Sequence, residues 1–231
     1  MRASGVLLPV FSLPSPHGIG CFSKEAYEWV DFLKLAGQQY WQILPLGPTS
    51  YGDSPYQSFS TYAGNPYFID LEELVEAGFL TRKEVEACDC GKAARDIDYG
   101  KLYENRFKLL RKAYERANAG EDQEFEAYRR ENAWWLDDYG LFMAVKDIFG
   151  GNSWDQWAED IRYRWDNAMW YYKTNYSKEI GFYVWLQYLF FTQWQKLKKY
   201  ANDKGLKIIG DIPIYVAYDS ADVWAHPEMF Q

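Results

Sequence analysis

The chain has 231 residues, 48% of them hydrophobic, enough to bury a substantial core as one large domain or two small ones. Its formal charge of -8 speaks against nucleic acid, whose phosphates need a concentrated positive field, and fits a neutral ligand better. Aromatic residues make up 19%, with 11 Trp and 20 Tyr, and such rings do best where one end is packed and the other meets water or ligand.

The first residues, MRASGVLLPVFSLPS, superficially resemble a signal peptide, but Pro9 interrupts the apolar run and no small-residue cleavage site follows. A buried first strand over Gly5 to Phe11 explains the pattern more simply, and the turn cluster SLPSPHGIG ends it. Ser23 is placed to cap a helix over residues 23 to 36, where Ala26, Trp29, Val30, Leu33 and Ala36 recur at helical spacing before Gly37. Tyr40 to Leu46 is a second short apolar run, stopped by Gly47-Pro48. Strand, helix and strand in this order form a βαβ unit, the building block of a parallel sheet covered by helices.

Residues Thr49 to Leu71, TSYGDSPYQSFSTYAGNPYFIDL, suit neither a regular helix nor a strand. Gly and Pro fix the turns of a shaped loop, the Tyr and Phe rings supply flat faces, and Asp53, Asn65 and Asp70 supply hydrogen-bonding groups. That combination suits a sugar, with its apolar C–H faces and polar hydroxyl rim. An ordinary long loop with its rings tucked under neighbouring helices has the same composition, so the loop alone leaves both readings open.

From Leu71 to Lys204 the pattern turns helical: Leu71 to Ala77, a short helix capped by Thr81, then Tyr99 to Ala117 and Glu124 to Phe149. A helix capped by Ser153 and carrying Trp154 and Trp157 follows, and then Glu179 to Tyr200, whose basic end suits the helix dipole. The Trp and Phe stripes of this region read as core. The most apolar segment, Phe182 to Phe191, is broken by Gln187 and is far shorter than the roughly 20 residues a membrane span requires. A soluble, cytoplasmic protein is expected. Cys21, Cys88 and Cys90 are an odd number of cysteines, and Cys88-Asp89-Cys90 is tighter than a zinc knuckle or the usual redox pair. Free thiols in a reducing compartment are expected, with no metal and no cofactor.

Lys207 to Ala217, KIIGDIPIYVA, reads as a third strand with an acid, Asp211, embedded among β-branched residues. A carboxylate there is costly unless it points into a polar cavity or finds a donor. Because β-branched residues continue on both sides, a functional acid is favoured over a simple Gly210-Asp211 turn.

SLPSPHGIG after the first strand, ILPLGPTSYGDSPYQSFSTYAGNPYFIDL after the second and IIGDIPIYVAYDSADVW at the third resemble, in this order, the 4-α-glucanotransferases known as amylomaltases or disproportionating enzymes. The resemblance implies the N-terminal part of a (β/α)8 TIM barrel with a large helical insertion between strands 2 and 3. Residues 1–71 would be the first βαβ part of the barrel, 72–178 the insertion, and 179–231 the helix and third strand returning to it. It also implies retaining transfer of α-1,4-glucan segments between maltooligosaccharides, in which one carboxylate attacks the anomeric carbon and a second carboxyl group protonates the leaving glucan.

Carried over by motif, Tyr56 in GDSPYQ would stack on the glucose at the scissile bond, and Asp211 in GDIPIYV would hydrogen-bond that sugar or orient neighbouring catalytic groups. Tyr51, Asp53 and Ser54 share the loop as further glucan contacts, with Asp53 equally suited to holding the loop's own backbone. Asp219 or Asp222 is expected to cap the following turn. Cys21 stands where an acid is common in the family. Arg164-Trp165-Asp166 matches the Arg-x-Asp of the family's nucleophile strand by letters, but it lies in the helical region and is set aside. The nucleophile and the acid/base are expected downstream of Gln231. Three strands cannot close a barrel of about 250 residues, so the C-terminal half of the barrel is an expected partner and residues 1–231 alone are expected to be inactive. The alternatives are a non-catalytic α-glucan-binding module, a helical interaction scaffold and an α-amylase-like hydrolase.

Overall fold

In the computed structural model, residues 2–50, 52–91 and 96–230 are described. The chain forms two compact units, one of Met1–Leu46, Asn65–Asn118 and Leu189–Ile212, the other of Gly47–Gly64, Ala119–Tyr188 and Pro213–Gln231.

The first unit is built on a parallel sheet of β1 (Gly5–Leu7), β2 (Tyr40–Gln42) and β3 (Lys207–Ile209), in that order. Gly5 pairs with Tyr40 and Tyr40 with Lys207, so the strands start and stop together. Helix α1 (Lys24–Leu35) makes the crossover from β1 to β2 and buries Ala26, Val30 and Leu33 at the expected spacing. Ser23 sits at its N-cap position, but its side chain accepts from no backbone N–H of the helix; its hydroxyl donates to the Glu25 carboxylate in the first turn instead. All three strands are shorter than their apolar runs. Val10–Ser12 already turns as a 3-10 helix, and after Ile209 the backbone leaves the sheet although Ile212, Ile214 and Val216 continue the β-branched pattern. Propensity for a strand is satisfied only where a neighbouring strand supplies pairing and cover.

Asp70 caps α2 (Leu71–Glu76) by accepting from the N–H of Glu72, and Thr81 with Glu84 forms a reciprocal capping box on α3 (Arg82–Glu86). The helix expected over Tyr99 to Ala117 is three pieces in one line: α4 (Tyr99–Lys101), a π turn over Leu102–Arg106, and α5 (Phe107–Ala117). The wide turn carries Arg106, whose guanidinium is wholly buried and donates to the carbonyls of Ile69 and His17. Phe22 centres the core, its ring 5.2 to 5.9 Å from Phe68, Phe190 and Trp194.

The second unit is helical. Asp122 caps α6 (Gln123–Ile148); α7 (Glu159–Arg162) and α8 (Asp166–Asn175) follow, and α9 (Ser177–Asp203) begins here and ends in the first unit. Gly140 lets α6 and α9 approach, since a Cβ there would stand 2.9 Å from the Val184 side chain. Phe142 packs against Trp157 and Trp224, the latter from α10 (Ala221–Ala225). The helix expected after Ser153 is only a 3-10 turn, Trp154–Gln156, and Ser153 makes no capping bond. Ser220, not Asp219 or Asp222, caps α10, by accepting from the N–H of Val223. Arg164-Trp165-Asp166 lies at the start of α8, with Arg164 bonded to Asp138, as its helical setting demanded. Among the described residues no helix is long and apolar enough to cross a membrane.

Candidate functional site

In the first unit the parallel register brings Leu7, Gln42 and Ile209 to one edge of the sheet, so the segments leaving all three strands emerge there. The segment after β1 holds buried His17, 3.5 Å from Glu72; burial and then the Arg106 charge push its imidazole below the usual range, so it is neutral at pH 7. Gly18 is needed next to it: its φ is +82° and a Cβ would fall 1.8 Å from the carbonyl oxygen of Cys90. After β3 stands Asp211, half-buried, whose carboxylate accepts from the N–H of Ile212 at 2.9 Å. Here the expectation of a strand acid changes. Asp211 lies just past the strand, where its carboxylate is not trapped between paired neighbours.

In the second unit, the loop after β2 is shaped by its own polar groups. Thr49 and Ser58 form an antiparallel bridge, and the N–H of Ser50 donates to the carbonyl of Gln57 at 3.1 Å. At the tip, the Asp53 N–H donates to Ser50 and the Gln57 N–H to Ser54, each at 3.1 Å, two successive turns. Asp53 is left-handed, φ 55°, a conformation that Asp tolerates better than most residues. Partial burial pushes its carboxyl above the usual range. The Ser54 hydroxyl accepts from the N–H of Tyr56, fixing the backbone that presents a ring still 45% exposed. Tyr51, the remaining expected contact, lies outside the described residues. Tyr62 meets Trp134 edge to face at 4.7 Å, and both rings keep an open face.

Several residues hold this loop in roles that the sequence reading does not assign to them. Ser60 accepts from the N–H groups of Tyr62 and Ala63 while Ser58 donates to the Ser60 carbonyl. Gln187, wholly buried, accepts from the Gly64 N–H at 2.7 Å and donates to the Gly64 carbonyl at 2.9 Å. It is the residue that interrupts the apolar run of α9, and an amide in such a run must find partners. Asp222 accepts from the N–H of Thr61, and the N–H of Ala221 donates to Phe59. Asp219 makes a 2.5 Å ion pair with Lys146, which is 5% exposed and has Phe59 and Phe142 as ring neighbours. Thus the chain after β3 and the loop after β2 are tied into the same unit by opposite ends of a short segment, residues 219–222.

The structure therefore brings Asp53, Ser54 and Tyr56 together on one loop, and it sets Asp211 at the strand edge of the other unit. Exposed rings with carboxyl and hydroxyl groups beside them can stack on and hydrogen-bond a polyhydroxylated ligand. Among the described residues no group of three or more His, Cys, Asp or Glu is arranged to hold a metal ion.

A family model described as 4-alpha-glucanotransferase matches residues 8–231. The 4-alpha-glucanotransferase of Clostridium butyricum is 50% identical over 221 residues, 96% of this chain and 45% of its own length. That of Thermus thermophilus is 48% identical, covering 99% of this chain and 46% of its own. The chain spans about half the length of the curated relatives it matches. Among solved structures, the amylomaltase of Streptococcus agalactiae in complex with acarbose superposes with a TM-score of 0.94 at 42% identity, over 100% of this chain and 47% of that one.

Proposed function

The chain belongs to the 4-alpha-glucanotransferase family, and from that premise we propose that the protein transfers α-1,4-glucan segments from one maltooligosaccharide to another by retaining double displacement. The observation that carries the reading is the conjunction of that match over residues 8–231 with a loop whose polar groups fix the backbone under an exposed ring, Tyr56. The acarbose bound by the Streptococcus agalactiae amylomaltase, 42% identical to this chain, supports an α-glucan as the ligand. In the cytoplasm, maltooligosaccharides would be both donors and acceptors.

The work of this chain is to hold substrate. Tyr56 stacks on the apolar face of the glucose at the scissile bond, and a fixed ring platform loses little freedom when sugar binds. Asp211 accepts hydrogen bonds from glucan hydroxyls, and such bonds strengthen as a sugar ring approaches its oxocarbenium-like transition state. Asp53, Ser54 and Tyr51 contact the glucan from the loop. No residue of this chain is assigned as nucleophile or acid/base. The parallel strands are the first three of a (β/α)8 barrel, with residues 1–71 and 179–231 in the barrel and 72–178 as a helical insertion. The C-terminal face is where such barrels carry out their chemistry.

Incubation of the full-length protein with maltotriose, followed by product analysis, tests the reading. Longer and shorter maltooligosaccharides formed together are expected. Hydrolysis to glucose and maltose without longer products would mean an amylase-like enzyme, and binding without turnover a glucan-binding module. Residues 1–231 alone are expected to give no disproportionation.

A further inference from the structure

Residues 88–90, Cys-Asp-Cys, have no part in glucan transfer as described above. The N–H of Cys90 donates to the carbonyl of Cys88 at 3.0 Å, and this tight turn brings the two sulfurs to 2.8 Å. They are unequal. Cys90 is buried, whereas Cys88 is half-buried and lines an open cavity of about 540 Å³ whose walls include Asn105, Lys108 and Lys112. Water-sized solutes therefore reach Cys88, with the Cys90 sulfur 2.8 Å behind it.

The surroundings favour one negative charge shared by the pair. Cys90 is held below the ordinary thiol range, first by its hydrogen bond with Cys88 and next by the buried Arg106 guanidinium, which outweigh its burial. Cys88 is raised by the same hydrogen bond and by burial. Arg106 otherwise bonds to uncharged carbonyls, of Ile69 and His17, and Asp89 is engaged by Lys101 at 2.7 Å. A thiolate beside a cation with a second thiol in contact is the arrangement of a nucleophile and its resolving partner. Cys21 is different: it is fully buried, away from solvent, and burial raises its thiol.

We propose that Cys88 and Cys90 form an oxidation site, a dithiol that hydrogen peroxide closes to an intrachain disulfide and a thiol reductant reopens. The Cys90 thiolate attacks one peroxide oxygen, the O–O bond breaks, and hydroxide leaves as Cys90 becomes a sulfenic acid. The Cys88 thiol then attacks that sulfur, the S–O bond breaks, and the hydroxyl departs with the Cys88 proton as water. The two sulfurs together give up two electrons to the peroxide. A reducing thiol reverses the closure by exchange. Because the Cys90 carbonyl packs against Gly18, the pair adjoins the segment that leaves β1.

The test is a peptide map of the full-length protein, treated with graded peroxide, then denatured and alkylated. The expected result is that the peptide carrying Cys88 and Cys90 loses both alkyl groups together and two hydrogen masses, that dithiothreitol restores both, and that Cys21 stays alkylatable throughout. In Cys88→Ser, the resolving thiol is gone and dimedone should trap the sulfenic acid on Cys90. Both cysteines remaining alkylatable at peroxide doses that oxidise free glutathione in the same tube would overturn the proposal. So would over-oxidation of Cys90 without a disulfide, or a disulfide linking two chains. The wild-type map decides the matter even if the variant does not fold.

Discussion

Two segments leave the same edge of the sheet, after β2 and after β3, and they keep their shapes by different means. The loop over residues 47–64 is tied through side chains that bond its backbone: Ser54, Ser58, Ser60 and Asp222, with Gln187 gripping Gly64 at its end. The segment over residues 210–218 is richer in β-branched residues, yet Ile212, Ile214 and Tyr215 are 79%, 91% and 84% exposed, and it is fastened at its far end, where Trp154 donates to the Tyr218 carbonyl and Lys146 pairs with Asp219. A loop specified by polar bonds to its own backbone carries its shape with it. Apolar residues specify shape only through whatever covers them.

If that contrast is right, the largest effect should come from the ion pair that anchors the second segment. Asp219→Ala leaves the buried Lys146 ammonium with the Asn152 carbonyl alone. A loss of about 3 kcal/mol is expected in urea unfolding, and Lys146→Met with Asp219→Ala should lose less than the two singles together. Strict additivity would show that the pair anchors nothing.

Asp70 gives an effect of similar size with a defined pH dependence. Burial raises its carboxyl from 3.8 to about 6, with Glu73 adding to the shift while the Glu72 N–H and Arg106 oppose it. The folded state therefore holds the proton more tightly than the unfolded one. The stabilisation is complete below about 3.8 and is lost as pH rises through about 6, a difference of about 3 kcal/mol. Asn can cap α2 as Asp does, so Asp70→Asn should be more stable than the wild type at pH 7, and the advantage should vanish near pH 4. A pH-independent difference would contradict the assignment.

Next comes Gln187→Ala, which strips Gly64 of a donor and an acceptor in a buried place and should cost about 2 kcal/mol. Gln193 makes the same clamp on Asp70 in the first unit, accepting at 2.7 Å and donating at 3.4 Å. Only the Gln187 change should also raise the KM for maltotriose in the full-length protein. The smallest effect is on substrate alone: Tyr56→Ala should raise that KM about tenfold by loss of ring stacking, and Tyr56→Phe should not. Equal KM values for Gln187→Ala and Gln193→Ala would remove the link between the shape of the loop and binding.

The elements with a local cause could be read from the sequence. Helix α1, the cap at Thr81 and the end of α2 before Gly78 follow from spacing and local signals, and the three motifs placed the strand ends in order. What could not be read depended on distant partners. The β-branched run after Ile209 spelled a strand that no neighbour pairs beyond that residue. Gln187 was visible as a polar interruption, but nothing local identified Gly64, 123 positions earlier, as its partner. Lys146 and Asp219 stand 73 positions apart, and neither is unusual in its own stretch. Within the candidate site, Tyr56, Ser54 and Asp53 are expected from the motif that resembles the family, since loop chemistry alone leaves both readings open, and no local signal marks the left-handed backbone at Asp53.

The proposal that the loop after β2 and the segment after β3 each contact α-glucan is tested most directly by hydrogen exchange on the full-length protein with and without a maltooligosaccharide. The account predicts slowed exchange in residues 49–64 and in residues 210–216 together, with the second segment gaining more because it begins with less internal bonding. Protection confined to other parts of the protein, leaving both segments unchanged at saturating sugar, would contradict it.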